Sequence, residues 1–136
     1  YSIDTSNGSS VLEVPVTILR SHKLFLKTSS AKNLARSIWH AMKGTELWIR
    51  PNGDNLEEMK YVLDQTYVSD RDYAMFMIHS SELMPGGSPT FKDERSIEKL
   101  YKDLEALFAY ASVKYEGIRL RDLSNGKESS ANKRTL

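Results

Sequence analysis

The hydrophobic pattern of the chain predicts strands and helices in alternation. Residues 11–19 form an apolar, β-branched run that is typical of a strand. Pro15 predicts a sheet edge, a bulge or a barrel rim for this strand, because proline cannot donate to a ladder. Apolar residues at every fourth position then predict a helix that ends at Lys43, where Gly44 can stop it. Residues 46–51 predict a second, short strand.

The same alternation continues in the second half of the chain. A helix predicted after Asp54 precedes the most apolar stretch, residues 73–78, which predicts a buried strand. An amphipathic helix over residues 95–114 and a short strand over residues 118–120 complete the order. Because this alternation is typical of parallel sheets built through right-handed crossovers, the sequence predicts an α/β fold with a parallel sheet. Three strands and a short fourth are fewer than the about eight of a closed barrel, which leaves a small open sheet or half of a barrel.

Length and composition are those of one domain. The chain has 136 residues and is 40% hydrophobic, which is enough for a single core. Residues 1–10 predict a flexible N-terminal segment, residues 11–123 a single α/β domain or half-barrel, and residues 124–136 a disordered tail with almost nothing to bury.

Charge and cysteine content limit the classes of partner and of metal site that the chain can have. The net charge of +1, from 19 basic and 18 acidic residues, does not favour nucleic acid, and no apolar run is long enough to predict a membrane span. With no cysteine, disulfides and thiolate metal sites are excluded, although this leaves the compartment undetermined.

His79 is the first candidate for chemistry, because it follows the buried strand 73–78. Ligands bind at the C-terminal ends of parallel strands, and an imidazole can give or take a proton near neutral pH. Glu82 could orient that ring or restore its proton. The alternative for His79 is a structural role, in which it caps backbone carbonyls.

Arg50 and Glu13 are weaker candidates. Arg50 ends the second strand and could bind a carboxylate or phosphate, or simply pair with Asp54. Glu13 interrupts an apolar run, where an unpaired charge is costly, so it either has a structural partner or faces a polar interior. If the strands are parallel, Arg50 and His79 lie on the same rim.

Metal and phosphate motifs are absent from the sequence. The three histidines, at positions 22, 40 and 79, lack the close spacing of a zinc helix, so no metal site is predicted in this chain. Gly86 and Gly87 do not fit a phosphate-binding loop, and neither Ser80 nor Ser81 lies in a nucleophile elbow.

Three stretches resemble the C-terminal part of NodB-homology polysaccharide deacetylases, the carbohydrate esterases of family four. LEVPVTILR (12–20) resembles a late Glu-apolar-Pro-Val strand, and WIRPNGDNLEEM (48–59) resembles an Arg-containing strand with its following helix. FMIHSSELMPGGSP (76–89) resembles the last catalytic motif, an apolar strand ending in His and followed in one branch by Glu and a Pro-containing loop. The resemblance covers roughly residues 11–123.

This resemblance implies an incomplete (β/α) barrel and removal of N-acetyl groups from a glycan by a divalent metal, zinc or similar. It gives His79 the role of acid for the leaving amine, makes Glu82 a rim or orienting group and Arg50 a substrate contact, and points Glu13 toward the barrel interior. The family's Asp-Asp pair and metal ligands lie in an N-terminal half with no counterpart here. The missing half of the same polypeptide is therefore an implied partner, and this chain alone is expected to be inactive and to bind no metal.

Two alternatives stay open beside the deacetylase hypothesis. One is a small noncatalytic α/β module that binds carbohydrate or protein, in which His79 and Glu82 are structural. The other is a degenerate deacetylase relative that binds sugar without catalysis.

Overall fold

The computed structural model describes residues 2–4, 10–23, 25, 37–39, 42–69, 71–124 and 134–136. Its strands are β1 (Ser2–Asp4), β2 (Ser10–Leu12), β3 (Ile18–Ser21), β4 (Thr45–Trp48), β5 (Tyr115–Glu116) and β6 (Arg134–Thr135). Its helices are α1 (Leu56–Val68), α2 (Glu94–Ala111) and α3 (Leu120–Ser124), with a 3₁₀ turn at Ser80–Leu83. Residues 37–39 and 42–43 are also helical.

The strands pair two by two. β1 pairs with β2 and β3 with β4, both antiparallel, while β5 and β6 form a parallel pair of two residues each. In the β3–β4 pair, Leu19 lies opposite Leu47 on the core side, and Ile18 lies opposite Trp48 on the exposed side. One buried and one solvated face is the pattern of an antiparallel sheet.

The predicted parallel sheet of alternating strand-helix units is therefore wrong, and so is the half-barrel that it implied. An apolar run reports burial, but it does not specify which strand becomes the neighbour or in which direction that neighbour runs. Here β4 returns antiparallel beside β3. The strand predicted over residues 11–19 is split as well, because β2 ends at Leu12 and β3 begins at Ile18. Pro15, which has no N–H for a ladder, lies in the gap.

Residues 73–79, predicted to contain a buried strand, form an extended segment that crosses the ends of β3 and β4. The Met75 N–H donates to the Thr17 Oγ1 atom at 2.9 Å, and the Met77 N–H donates to the Ile49 carbonyl at 3.0 Å. Thr17 precedes β3 and Ile49 follows β4, so the segment contacts both strands at one end of the pair. Residues 74–79 join no sheet ladder, so the strand prediction is wrong.

The predicted long helix is confirmed as α2. Asp93 begins it, because its Oδ1 atom accepts a hydrogen bond from the Ser96 N–H at 2.8 Å while the Asp93 N–H donates to the Ser96 Oγ atom. The helix after Asp54 is confirmed as α1, with Asn55 at its cap position. Residues 118–120 form no strand, because α3 begins at Leu120.

Two helices and the β3–β4 pair enclose the main core. Its buried members are Leu47, Ile49, Met59, Val62, Leu63, Ala74, Leu107, Ala111 and Tyr115. A smaller cluster of Phe91, Ile97 and Leu100 lies beneath the loop that precedes α2. The three-four spacing of apolar residues in α2 thus supplies both clusters, which explains why its sequence signal is strong.

A polar network joins α1 to the end of α2. The Tyr110 hydroxyl donates to the Asp64 carboxylate at 2.8 Å, and Lys114 Nζ lies 2.6 Å from Asp64 Oδ1. The hydrogen bond to Asp64 raises the pKa of Tyr110 and that of Lys114 above their ordinary values. The network is half-exposed, so it contributes less to stability than the apolar contacts beneath it.

Some predictions fall largely outside the described residues. The helix predicted to end at Lys43 is described only at residues 37–39 and 42–43, and Gly44 beyond it has a φ of 77°, as a helix-stopping glycine does. The boundaries proposed at residues 10 and 124 stay predictions. None of the described helices is both long enough and apolar enough to cross a membrane.

We expect Leu107→Ala to lower the free energy of unfolding by about 3 kcal/mol, because it leaves a cavity between α1 and α2 where the side chain is 1% exposed. Urea unfolding followed by circular dichroism measures this loss. The exposed change Lys102→Ala on the same helix is the control and should stay within about 0.5 kcal/mol of the parent chain. Equal losses for both variants would contradict the assigned core.

Candidate functional site

Arg50 is fixed by the turn that joins β4 to α1. The Asn55 side chain is buried, donates to the Arg50 carbonyl at 2.8 Å and accepts from the Asn52 N–H at 2.9 Å. Gly53, with a φ of 90°, supplies the left-handed residue that the turn needs. The backbone of Arg50 therefore cannot shift without breaking a buried hydrogen bond.

Glu82 lies in the 3₁₀ turn that follows the extended segment. Its Oε2 atom accepts a hydrogen bond from the His79 N–H at 3.0 Å, and its own N–H donates to the His79 carbonyl at 2.9 Å. The next loop packs closely on this turn, because a Cβ atom at Gly87 would overlap the Ser81 carbonyl oxygen. Only glycine fits there, so the loop and the turn form one unit.

An ion pair joins the two loops. Arg50 Nη2 lies 2.9 Å from Glu82 Oε1, with the Glu82 side chain 9% exposed and the Arg50 side chain 34% exposed. Arg50 does not pair with Asp54, whose carboxylate lies 3.9 Å from Lys99 Nζ. The pair connects residues 32 positions apart and joins the turn after β4 to the 3₁₀ turn.

The environment of Glu82 keeps its carboxylate charged. Burial by itself raises the pKa of Glu82, but the hydrogen bond from the His79 N–H and the Arg50 guanidinium together hold that pKa below its ordinary value of 4.5. The carboxylate is ionised at neutral pH and occupied on both oxygens. Its hydrogen bond from His79 comes from the main-chain N–H, so both carboxylate oxygens hold the turn and Arg50.

Two clefts lie along residues 73–79 and share Phe76 as a lining residue. The first has a volume of about 420 Å³ and is lined by Val14, Tyr73, Ala74, Met75, Phe76, Phe108, Gly117, Ile118, Leu120 and Leu136. The second, of about 340 Å³, is lined by Arg50, Phe76, Met77, Ile78 and His79. We call the two clefts together the groove.

The structure thus brings together three of the four residues singled out from the sequence. Arg50 and His79 line the second cleft, and Glu82 supports both of them. Glu13 is exposed and lies outside this group. Their meeting does not depend on parallel strands, because it results from the ion pair and from the crossing of residues 73–79 over the ends of β3 and β4.

No metal centre is visible in the part of the chain that the structure describes. There, no three His, Cys, Asp or Glu side chains form a group that could hold an ion. The described residues therefore do not fit the divalent metal that the deacetylase resemblance implies. Such a metal stays a prediction for the complete protein.

No protein-family model, curated protein or solved structure matches the chain. The resemblance to polysaccharide deacetylases stays a prediction.

Sequence reasoning missed the residues that position the site. Thr17 and Asn55 are buried polar residues whose side chains bind backbone groups, Thr17 in residues 73–79 and Asn55 in its own turn. The signal for Asn55 is its place beside Pro51-Asn52-Gly53, where Asn side chains commonly close turns. Nothing in the sequence distinguishes Thr17 from an ordinary strand threonine.

We expect Glu82→Gln to lower the free energy of unfolding at pH 7 by about 2 kcal/mol, because it removes the charge that binds Arg50 and the His79 N–H. A carboxyl whose pKa is lowered by folding stabilises the folded protein at pH values above its unfolded-state pKa. This contribution is lost as the pH falls below 4.5 and through the lower folded-state pKa. Urea unfolding of both chains between pH 7 and pH 3, about the span of a carboxyl titration, measures the difference.

Glu105→Gln, an exposed change on α2, is the control and should show no such difference. A deficit in Glu82→Gln that persists unchanged in acid would show that the carboxylate charge is not its source.

Proposed function

We propose that the chain is a noncatalytic protein-interaction module and that the groove along residues 73–79 is its binding site. The observation that carries this proposal is the apolar first cleft, in which the half-exposed Phe108 ring meets Phe76 edge to face at a centroid distance of 5.1 Å. A concave apolar surface with an aromatic wall is typical of sites that bind apolar side chains.

The lining of the first cleft favours a protein partner over a glycan. Sugar hydroxyls need hydrogen-bonding side chains, and of the cleft's side chains only Tyr73 carries a polar group. Its hydroxyl already donates to the Pro15 carbonyl at 3.0 Å. An apolar partner leaves this bond intact, whereas a glycan would bury hydroxyls without partners.

The contacts of Glu82 support a structural role for the residues that first suggested catalysis. A carboxylate that assists an imidazole acid must be available to the ring, and this one is held by Arg50 and a backbone N–H. Arg50 and Glu82 thus support the second cleft, and the exposed His79 lines it.

We expect peptides selected on this chain from a random library to lose at least about tenfold in affinity on Phe108→Asp, because a charge placed in the first cleft must be desolvated when an apolar side chain binds. Fluorescence polarisation with a labelled selected peptide measures the affinity, and circular dichroism checks that the variant folds.

Tyr101→Asp is the matched control, because it places the same charge at an exposed aromatic position of α2 that does not line the groove. It should bind the peptide as the parent chain does. A selected peptide that ignores Phe108→Asp, or that responds equally to both changes, would count against the groove.

The deacetylase hypothesis is the second candidate, and the observation that favours it is the shared position of the Arg50 and His79 side chains in one cleft. It assigns His79 the transfer of a proton to the leaving amine. In a complete protein with metal-dependent acetate release from an N-acetylated glycan, His79→Ala should abolish release, and His22→Ala, an exposed change, should not. Unchanged release by His79→Ala would remove this residue from the mechanism.

A further inference from the structure

We propose that the partner lies in the groove as an extended strand, hydrogen-bonded to the free edge of residues 76–78, with a carboxylate at the end beside Arg50 and His79. This inference rests on the proposed function. It adds the conformation of the bound segment and the charge at one of its ends.

Within residues 74–78, the backbone hydrogen bonds come from Met75 and Met77. The N–H groups of Met75 and Met77 donate to Thr17 and Ile49, so this edge is closed by the ends of β3 and β4. In extended backbone the groups of the intervening residues point the opposite way. Among the described residues, Phe76 and Ile78 make no backbone hydrogen bond. Their N–H and C=O groups form the free edge.

A strand is the occupant that uses this edge. Exposed N–H and C=O groups at strand spacing bind another extended backbone, which is the mode of partner addition at sheet edges. A helix satisfies its own backbone groups and would leave the edge unpaired. The free edge, residues 76–78, covers about 7 Å, so only two or three residues of the partner pair with it through their backbone.

The alternation of an extended peptide also fits the walls of the groove. Every second side chain of a strand points to the same face, so a bound peptide would place alternate residues against the groove. One of these reaches the apolar first cleft beside Phe108, and the next lies toward the second cleft, on the other side of Phe76.

Charge at the second cleft defines one end of the partner. Glu82 is covered, with its side chain 9% exposed, whereas Arg50 is 34% exposed and His79 is exposed. The charge accessible to a ligand is therefore cationic, although the ion pair as a whole is neutral. Arg50 uses its Nη2 atom for Glu82, and a guanidinium has further donors for a second carboxylate. An acidic side chain or a C-terminal carboxylate would complement this end.

The experiment that tests the strand is an N-methyl scan of a selected peptide. Methylation removes one backbone donor at a time without altering the protein, so no variant can fail to fold. We expect losses of about tenfold at alternate positions, where the peptide N–H faces the edge, and changes within about twofold at the positions between them. Fluorescence polarisation against the unmodified peptide measures each affinity.

The carboxylate is tested on the same peptide. Replacing its acidic residue nearest Arg50 by the neutral amide, or amidating its C-terminus, should weaken binding about fivefold and reduce its salt dependence. The matched control is the same neutralisation at the opposite end of the peptide, which should change the affinity little. Equal effects at both ends would overturn the assignment of a carboxylate to this cleft.

These outcomes separate the two proposals. If Phe108→Asp abolishes binding but N-methylation is tolerated everywhere, or acts with a spacing of three to four residues, the groove binds protein but not a strand. If Phe108→Asp has no effect on binding, the groove is not the binding site. The proposed function is then wrong, and the strand inference that rests on it is wrong as well. Sedimentation of the chain alone tests whether a second copy of the chain occupies the groove. A dimer that is disrupted by Phe108→Asp and not by Tyr101→Asp would identify that second copy as the occupant. It would overturn the assignment of a peptide partner.

Discussion

Two hydrogen bonds hold residues 73–79 across the ends of β3 and β4, and the arrangement of the site depends on them. Thr17 receives the Met75 N–H and the Ile49 carbonyl receives the Met77 N–H. This crossing directs Ala74 into the core and leaves Phe76 between the core and the groove. It also delivers His79 to the turn that carries Glu82.

The Arg50–Glu82 pair stabilises the far end of the same segment, and its energetics explain why it is stable when buried. Removing a carboxylate from water costs several kcal/mol, and the cost is offset only when its oxygens find donors. Both oxygens of Glu82 do, one in Arg50 and one in the His79 N–H. Among the described residues, no buried side-chain nitrogen or oxygen lacks a hydrogen-bond partner. The pair serves the loops it joins, while the exposed side of Arg50 remains available to a ligand.

The sequence predicted those parts of the fold whose signals are local. The period of apolar residues over α2 describes a surface that packs on one side only, and the helix appears as predicted. The sheet could not be predicted in this way. The apolar run at residues 73–78 is at least partly buried, whereas Val16 and Ile18 in the run at residues 11–19 are exposed. The pairing of the two runs depends on Pro15, which interrupts the first, and on Thr17, whose side chain replaces a ladder partner for the second. Arg50, Glu82 and His79 were expected to meet for a reason that does not apply. They meet because an ion pair and backbone hydrogen bonds join two loops. The convergence of parallel strands at their C-terminal ends plays no part.

A free and partly apolar backbone edge carries a risk as well as a use, since such edges promote association with other chains. Two features of this structure limit the risk. The edge offers the backbone groups of only two described residues, Phe76 and Ile78, which is too short for stable pairing without side-chain contacts. It also lies beside a cleft whose shape, set by Phe108 and the residues after β5, must be matched by the incoming side chain. In the proposed binding mode, backbone pairing would supply affinity that any extended segment could use, and the clefts would decide which segment can use it. Selectivity would then rest on the apolar wall and the cationic end, because the edge alone would be insufficient.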